Sequence, residues 1–138
     1  MSHDHLLAKA ALSVASHSIS TRWQIGAVFS DNGIILATGH NHMPPTSPTT
    51  VCEVCIDGIE SSHDDIIHAE MSALSNLLRQ GLSPIGLTLT ITHAPCFHCA
   101  KVISVLGLHE VLYITPFSTT DGLDYLHRHS VPVRQLIL

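Results

Sequence analysis

Apolar residues near the start of the chain recur at the spacing of one helix face, which predicts a helix over about residues 4–18. These positions are Leu6, Leu7, Ala10, Ala11, Val14 and Ala15. Two short apolar runs follow, at residues 25–29 and 34–39, with Asn32-Gly33 between them. An Asn-Gly pair between two apolar runs predicts an antiparallel hairpin.

The next stretch, residues 43–66, is rich in Pro, Ser and Thr and predicts a long loop insertion. Loops of this length in a compact domain tend to carry function. We therefore expect this insertion to shape whatever pocket the protein has.

The second half of the chain alternates between helix and strand patterns. One helix pattern ends at Gly81, and strand, helix, strand, helix and strand patterns follow it. From residue 25 the predicted order is β-β-α-β-α-β-α-β, which indicates an α/β architecture with helices covering a largely parallel sheet. At 138 residues the chain is expected to form one domain over residues 1–138.

The charge balance and the hydropathy of the sequence argue against a nucleic-acid partner and against a membrane span. The chain has 11 acidic and 6 basic residues, and the basic ones are scattered. Long nucleic acids are bound mainly through their phosphates, so we expect no such partner. No stretch approaches the ~20 apolar residues of a membrane span, and the start lacks a signal peptide's basic residues. We therefore expect a cytoplasmic protein whose 4 reduced cysteines serve metal or redox chemistry.

Two separated motifs carry recognisable chemistry, "HAE" at His68 and "PCFHC" ending at Cys99. One imidazole and the thiolates of Cys96 and Cys99 make three zinc ligands, which leaves a fourth position open for water, as in catalytic zinc sites. The metal lowers the pKa of such a water towards ~7. Glu70 follows His68 by two residues and can move protons without binding the metal. The pattern H-x-E…P-C-x-x-C is the signature of zinc nucleobase deaminases, whereas a redox C-x-x-C would not require His68 and Glu70.

These motifs resemble the cytidine/deoxycytidylate deaminase superfamily, and the similarity extends over about residues 20–115 through "STRWQIGAVFSDNGIILATGHN". The sequence is most similar to deoxycytidylate (dCMP) deaminases. The resemblance implies a three-layer α/β/α fold with a mixed sheet of about five strands. It also implies hydrolytic deamination of a small pyrimidine nucleotide, dCMP to dUMP with release of ammonia, by a homo-oligomer.

The resemblance further implies roles for single residues. Glu70 would carry protons, the Ala69 amide would hold the pyrimidine carbonyl, and the Ala94 carbonyl would accept from the exocyclic amine. Asn41 would bind the sugar and Phe117 would pack on the base. A separate candidate, from its charge alone, is a phosphate contact by Arg22.

The sequence departs from the family pattern at two places. The family's G-Y-N-G reads Gly39-His40-Asn41-His42 here, and the Asn that follows H-A-E-x is Ser72. The first segment is associated with regulation by nucleoside triphosphates in some relatives, so the resemblance does not extend to that regulation. The second departure alters whatever contact the Asn makes.

The remaining cysteine pair allows more than one interpretation. Cys52, Cys55 and His63 lie in the 43–66 insertion, where many dCMP deaminases carry a second, structural zinc; His40 or His42 could supply a fourth ligand. The alternatives are free thiols in a loop, or a four-cysteine zinc ribbon formed with the other C-x-x-C pair, which would make the protein an interaction module.

Other choices also stay open at this point. Within the enzyme class, the substrate could be cytidine, a 5-substituted dCMP or a purine base. His93 and His98 are expected to be neighbours of the site rather than ligands, and Trp23 is expected to pack near its wall.

Overall fold

A computed structural model describes residues 3–138, which form four α-helices and seven β-strands. The helices are α1 (Asp4–Ala15), α2 (Ala69–Arg79), α3 (Phe97–Ile103) and α4 (Asp121–Arg128). The strands are β1 (Gly26–Asp31), β2 (Ile34–His40), β3 (Glu53–Ile56), β4 (Ile59–Ser62), β5 (Thr88–His93), β6 (Glu110–Thr115) and β7 (Val133–Gln135). None of the helices in the described residues has the length and apolar character needed to cross a membrane.

Five strands make one mixed sheet in the order β2-β1-β5-β6-β7. The β1–β2 and β1–β5 pairs are antiparallel, and the β5–β6 and β6–β7 pairs are parallel. The α/β class and the mixed five-stranded sheet are therefore confirmed. The antiparallel β1–β2 hairpin is confirmed. The β1–β5 pair departs from the expected largely parallel sheet, because these two strands run in opposite directions.

Helices cover both faces of the sheet, because side chains alternate along each strand. Phe29, Leu89 and Val111 point to one face and pack with α2, α3 and α4 in the larger core cluster. Leu112 points to the other face, where it packs against Leu7 of α1. The result is a three-layer α/β/α arrangement.

The free edge of β2 is covered by side chains of α2. The Asn76 side-chain amide donates to the carbonyl of Thr38 at 2.7 Å, and that of Gln80 donates to the carbonyl of Leu36 at 2.9 Å. Both carbonyls lie on the edge strand of the sheet. These two hydrogen bonds pair edge groups that a sheet otherwise leaves open.

The predicted long loop at 43–66 contains a second hairpin, β3–β4, which is a correction to the sequence analysis. Its turn has positive φ at both central residues, 53° at Asp57 and 77° at Gly58. That geometry suits an Asp-Gly pair and matches the twist of antiparallel strands. The missed signal was this Asp-Gly pair between Ile56 and Ile59, which a polar, Pro-rich surrounding sequence obscured.

Candidate active site

The helices α2 and α3 begin at residues that carry metal-binding side chains. His68 precedes α2 in an extended conformation, with φ −69° and ψ 151°. Cys96 precedes α3 in a similar conformation, directly after Pro95, and accepts a hydrogen bond from the Cys99 amide at its Sγ. The backbone amide of Ala94 donates to the carbonyl of Thr115 at 2.8 Å, which fixes the segment that leads from β5 into α3.

His68, Cys96 and Cys99 converge on one point. The Nδ1 atom of His68 lies 3.5 Å from Cys96 Sγ and 3.3 Å from Cys99 Sγ. A tetrahedral zinc with ordinary Zn–N and Zn–S bonds has an N···S edge of about 3.5 Å. Within residues 3–138, these three are the group of metal-ligating side chains whose ligand atoms lie within 4.8 Å of one another. The donor set and its spacing therefore fit a zinc ion.

The electrostatics of the cluster favour a cation. A hydrogen bond from Cys99, with a second from His68, lowers the pKa of Cys96 to about 4, so this thiol is ionised at neutral pH. The hydrogen bond to Cys96, together with burial, raises the pKa of Cys99. The Cys96 thiolate thus opposes ionisation of the Cys99 thiol. A bound divalent cation would offset the repulsion between the two negative charges, and Cys99 would release its proton.

Glu70 is a buried carboxyl group beside this cluster, with only 4% of its surface exposed. Desolvation raises its pKa to about 7, although a hydrogen bond from its own backbone amide and the charge of His68 oppose the rise. A carboxyl group with a pKa near neutrality can both accept and release a proton at physiological pH.

A cavity of about 290 Å³ opens above these residues. It is lined by Arg22, Trp23, Ile25, Asn41, Ser62, Ile66, His68, Glu70, His93, Ala94, Cys96, Phe117 and Ser118. The structure thus gathers most of the predicted site residues around one space. Ala69 is fully buried between His68 and Glu70 and does not line the cavity. Cys99 and the insertion residues Cys52, Cys55 and His63 do not line it either.

Asn41 is held rigidly at the cavity wall, with 4% of its surface exposed. Its Nδ2 donates to the carbonyl of Trp23 at 2.6 Å, and its Oδ1 accepts from the amide of Ile25 at 3.0 Å. One N–H and one lone pair of the side-chain amide remain after these two bonds. Asn41 can therefore offer a ligand both a donor and an acceptor.

Aromatic rings form another part of the wall. The Trp23 ring lies 5.7 Å from that of Phe117 and 5.6 Å from that of His93, measured between centroids. Trp23 lies at the wall, where the sequence predicts it, whereas His93 was expected only as a neighbour of the site. Its direct place in the cavity could have been inferred from the strand, since His93 precedes Ala94 by one residue.

The hydrogen bonds around His93 define its tautomer. The Thr92 hydroxyl oxygen accepts from the amide of Gly26 at 3.1 Å and lies 2.9 Å from His93 Nδ1. Because Thr92 is buried, its hydroxyl proton is best satisfied by Nδ1, which leaves the ring proton on Nε2. Burial lowers the pKa of His93, so the ring is neutral at pH 7 and retains an Nε2–H donor.

Among the described residues, Cys52, Cys55 and His63 do not form a metal-ligand group like that at His68, and a structural zinc at these residues stays a prediction. The His63 amide donates to the Cys52 carbonyl at 2.7 Å, so these two residues flank the base of the β3–β4 hairpin. Cys55 is the third residue of β3, where it lies opposite Glu60 of β4, and it is exposed whereas Cys52 is buried. Burial raises the pKa of Cys52, whose thiol donates to the carbonyl of Thr50.

Cys52 and Cys55 are free thiols at the second hairpin, and the four-cysteine ribbon is not found in the described residues. His40 and His42 are also outside the metal-ligand group at His68, and so is His98. A four-cysteine ribbon would need Cys52 and Cys55 beside the other pair, but the second pair instead shares its site with His68.

The fold and the site define a class of protein. A buried glutamate beside a His-Cys-Cys ligand set, with both helix starts meeting beyond a central sheet, is the arrangement of zinc-dependent deaminases. The family model described as "Cytidine and deoxycytidylate deaminase zinc-binding region" matches residues 1–115. The chain belongs to this family.

Individual relatives agree with that assignment. The structure of a dCMP deaminase from the cyanophage S-TIM5, in complex with dCMP and dUMP, superposes with a TM-score of 0.89 at 34% identity and covers 96% of this chain and 95% of that one. The deoxycytidylate deaminase of Enterobacteria phage T2 is 26% identical over 85% of this chain and 82% of its own length. A probable deoxycytidylate deaminase of Drosophila melanogaster is 32% identical over 81% of this chain and 58% of its own.

Proposed function

We propose that this protein converts dCMP to dUMP with release of ammonia. The observation that carries the proposal is the buried carboxyl of Glu70 beside the zinc-ligand group at His68, at a cavity sized for one nucleotide base. The similarity to the S-TIM5 enzyme, whose structure holds dCMP and dUMP, supports a nucleoside monophosphate as the substrate.

The chemistry needs a water molecule activated at neutral pH and a group that moves protons. Zinc, when bound by His68, Cys96 and Cys99, lowers the pKa of a water in its open position. Glu70 accepts a proton from the attacking water at its carboxylate. It then donates that proton to the ring nitrogen next to the reacting carbon. As the carbonyl forms, Glu70 accepts the remaining proton of the former water oxygen and donates it to the departing amino group. Water is consumed, ammonia leaves, and a carbonyl replaces the amine.

The groups around the cavity suit a cytosine ring and its sugar. The Ala94 carbonyl would accept from the exocyclic amine, and the buried Ala69 amide would donate to the ring carbonyl. Asn41 would bind the sugar through the donor and the acceptor that its backbone contacts leave. Phe117 would pack on the base, and the Nε2–H group of His93 would donate to an oxygen of the nucleotide.

Arg22 is the candidate phosphate ligand. It is the only Lys or Arg among the residues that line the cavity in the described part of the chain. Its guanidinium donates to the Ser62 hydroxyl at 3.2 Å and is otherwise exposed, so a phosphate can be bound without breaking a buried ion pair. A charge-assisted hydrogen bond of this kind stabilises a complex by about 1.5–3 kcal/mol.

A substrate panel tests the proposal. Ammonia release is measured with the zinc-loaded protein on dCMP, deoxycytidine, CMP, 5-methyl-dCMP, cytidine and a purine base. We expect the highest kcat/KM on dCMP and a clear loss on deoxycytidine. Equal rates on the nucleoside and its monophosphate, or preference for another base, would overturn the assignment.

The number of zinc ions, the oligomeric state, the cellular location and the single-domain organisation are further predictions from the sequence, and each has its own test. Metal analysis gives the number of zinc ions per chain, and a value of two would require the hairpin residues at Cys52 and Cys55 to rearrange. Size-exclusion chromatography with light scattering tests the homo-oligomer. Cell fractionation tests the cytoplasmic location, and limited proteolysis tests the single domain over residues 1–138.

A further inference from the structure

Two of the three positions at which the sequence departs from the family pattern, His42 and Ser72, contact each other. His42 lies just beyond β2, and Ser72 lies in the first turn of α2, 30 residues later. The Nε2 atom of His42 is 3.0 Å from the Ser72 hydroxyl oxygen. Ser72 is buried, with 7% of its surface exposed.

The direction of this hydrogen bond follows from its surroundings. The Nδ1 atom of His42 lies 2.7 Å from the carbonyl oxygen of Met43, which can only accept. Nδ1 therefore carries the ring proton, and Nε2 is left as an acceptor. The Ser72 hydroxyl donates to it, so the pair is a directed chain from Ser72 through His42 to the Met43 carbonyl.

The same two residues hold the backbone on both sides of His68. Before it, His42 and Ile67 exchange two backbone hydrogen bonds, at 3.1 and 2.7 Å. After it, the amide of Ser72 donates to the carbonyl of His68 at 2.9 Å. The side-chain bond between Ser72 and His42 connects these two sets of backbone contacts, and His68 lies between them in the chain.

We propose that His42 and Ser72 form a positioning pair that sets the place of the His68 imidazole relative to Cys96 and Cys99. His42 fixes the segment that enters α2, and Ser72 ties the first turn of α2 to the same residue. Without the side-chain bond, the backbone contacts before and after His68 remain but are no longer joined to each other, and Nδ1 would drift from the 3.3–3.5 Å spacing that suits a zinc ion. Outer contacts that orient a metal ligand typically change metal affinity by about 10- to 100-fold when removed.

Three variants separate the two hydrogen bonds of His42. Ser72→Ala and His42→Asn each remove the bond between the two side chains, while Asn can still donate to the Met43 carbonyl. His42→Gln keeps an acceptor for Ser72 and loses the bond to Met43. Ser75→Ala is the matched control, since it makes the same change at an exposed position of α2.

Zinc affinity, measured by competition with a chelating dye, is the deciding quantity. We expect about a 10-fold or greater loss for Ser72→Ala and for His42→Asn, no further loss when the two are combined, and partial recovery in His42→Gln. Thermal unfolding of the metal-free proteins shows whether each variant folds. At saturating zinc, we expect the kcat of each variant to return to the wild-type value and its KM to be unchanged, because the pair does not touch the substrate. Of these measurements, only the activity assay rests on the proposed function.

Unchanged zinc affinity in Ser72→Ala and His42→Asn would overturn the proposal, as would fully additive losses in the double variant. A folded wild-type protein that binds zinc tightly but does not turn over dCMP would overturn the proposed function and leave this inference standing. A variant that loses stability without losing zinc affinity would show that the pair serves packing only.

Discussion

The carboxylate of Glu53 accepts hydrogen bonds from both the backbone amide and the hydroxyl of Thr21, at 3.0 and 3.2 Å. Glu53 begins β3, whereas Thr21 lies in the segment that carries Arg22 and Trp23. This contact joins the second hairpin to the wall of the cavity. The hairpin and the candidate phosphate ligand therefore keep a fixed relation to each other.

This tether should respond to acid. Burial alone would raise the pKa of Glu53, but the hydrogen bonds from Ser20 and Thr21 outweigh it, so the pKa lies below its usual value. A lowered pKa means that the folded state prefers the carboxylate, so its stabilising effect is present above the unfolded value of about 4.3 and is lost as pH falls below it. We expect Glu53→Gln to expose the hairpin to proteolysis and amide exchange at pH 7, and to match the wild type once the pH falls below the lowered pKa of Glu53. Asp57→Asn, which removes an exposed carboxylate at the turn of the same hairpin, is the control. An equal effect of both variants at pH 7 would refute the tether.

Replacement of Glu70 by Gln should abolish turnover while leaving the metal site intact. An amide has nearly the same shape but cannot carry a proton between water and leaving group, so we expect kcat to fall by about 100- to 10,000-fold. Ammonia release measures the rate, and metal analysis together with thermal unfolding shows that zinc and fold are retained. Substantial activity in a zinc-loaded Glu70→Gln protein would rule out the proton-transfer role.

Arg22→Gln should separate nucleotides from nucleosides. If Arg22 binds the phosphate, kcat/KM on dCMP falls by about 10- to 100-fold, while the slower reaction of deoxycytidine is unaffected. The control is Arg79→Gln, which removes an equal charge in the last turn of α2. An equal loss on both substrates would mean that Arg22 supports the cavity wall instead.

Gly122 at the start of α4 permits close contact with the zinc-binding segment. A Cβ atom at this position would overlap the carbonyl group of Pro95. We expect Gly122→Ala to lower the free energy of unfolding by about 1–3 kcal/mol and to weaken zinc binding, since Cys96 follows Pro95 directly. Gly81→Ala, where a Cβ would meet open space, is the comparison; it should lower stability through its positive φ and leave zinc affinity unchanged.

The sequence was most informative where chemistry depends on residue type and order. His68, Glu70, Cys96 and Cys99 could be assigned from the two motifs because few chemistries use that set in that arrangement. The alternation of strand and helix patterns likewise predicted the layered α/β fold, because the spacing of apolar residues in each segment depends on local backbone geometry. The direction of β1 relative to β5 could not be predicted, because pairing across a sheet depends on contacts far apart in sequence.

The second hairpin shows a different limit. Cys52 and Cys55 resemble a metal-binding pair in sequence, but that reading assumes a flexible loop that can bring three side chains together. Residues 53–56 instead form a strand, and Cys52, Cys55 and His63 are not gathered into a metal-ligand group among the described residues. Polar composition hid that strand, and the Asp-Gly turn was the only local evidence for it.

The hydrogen bonds of the Asn76 and Gln80 side-chain amides fix the position of α2 along the edge strand β2. Four residues of helix span about 6 Å, and two residues of strand span about 6.7 Å, so the pair engages Thr38 and Leu36 at only one setting of helix against strand. Sliding α2 by one residue would break both bonds at once. These two hydrogen bonds at the far end of the helix therefore fix how deeply Glu70 extends into the cavity, although they lie at an outer surface that no substrate reaches.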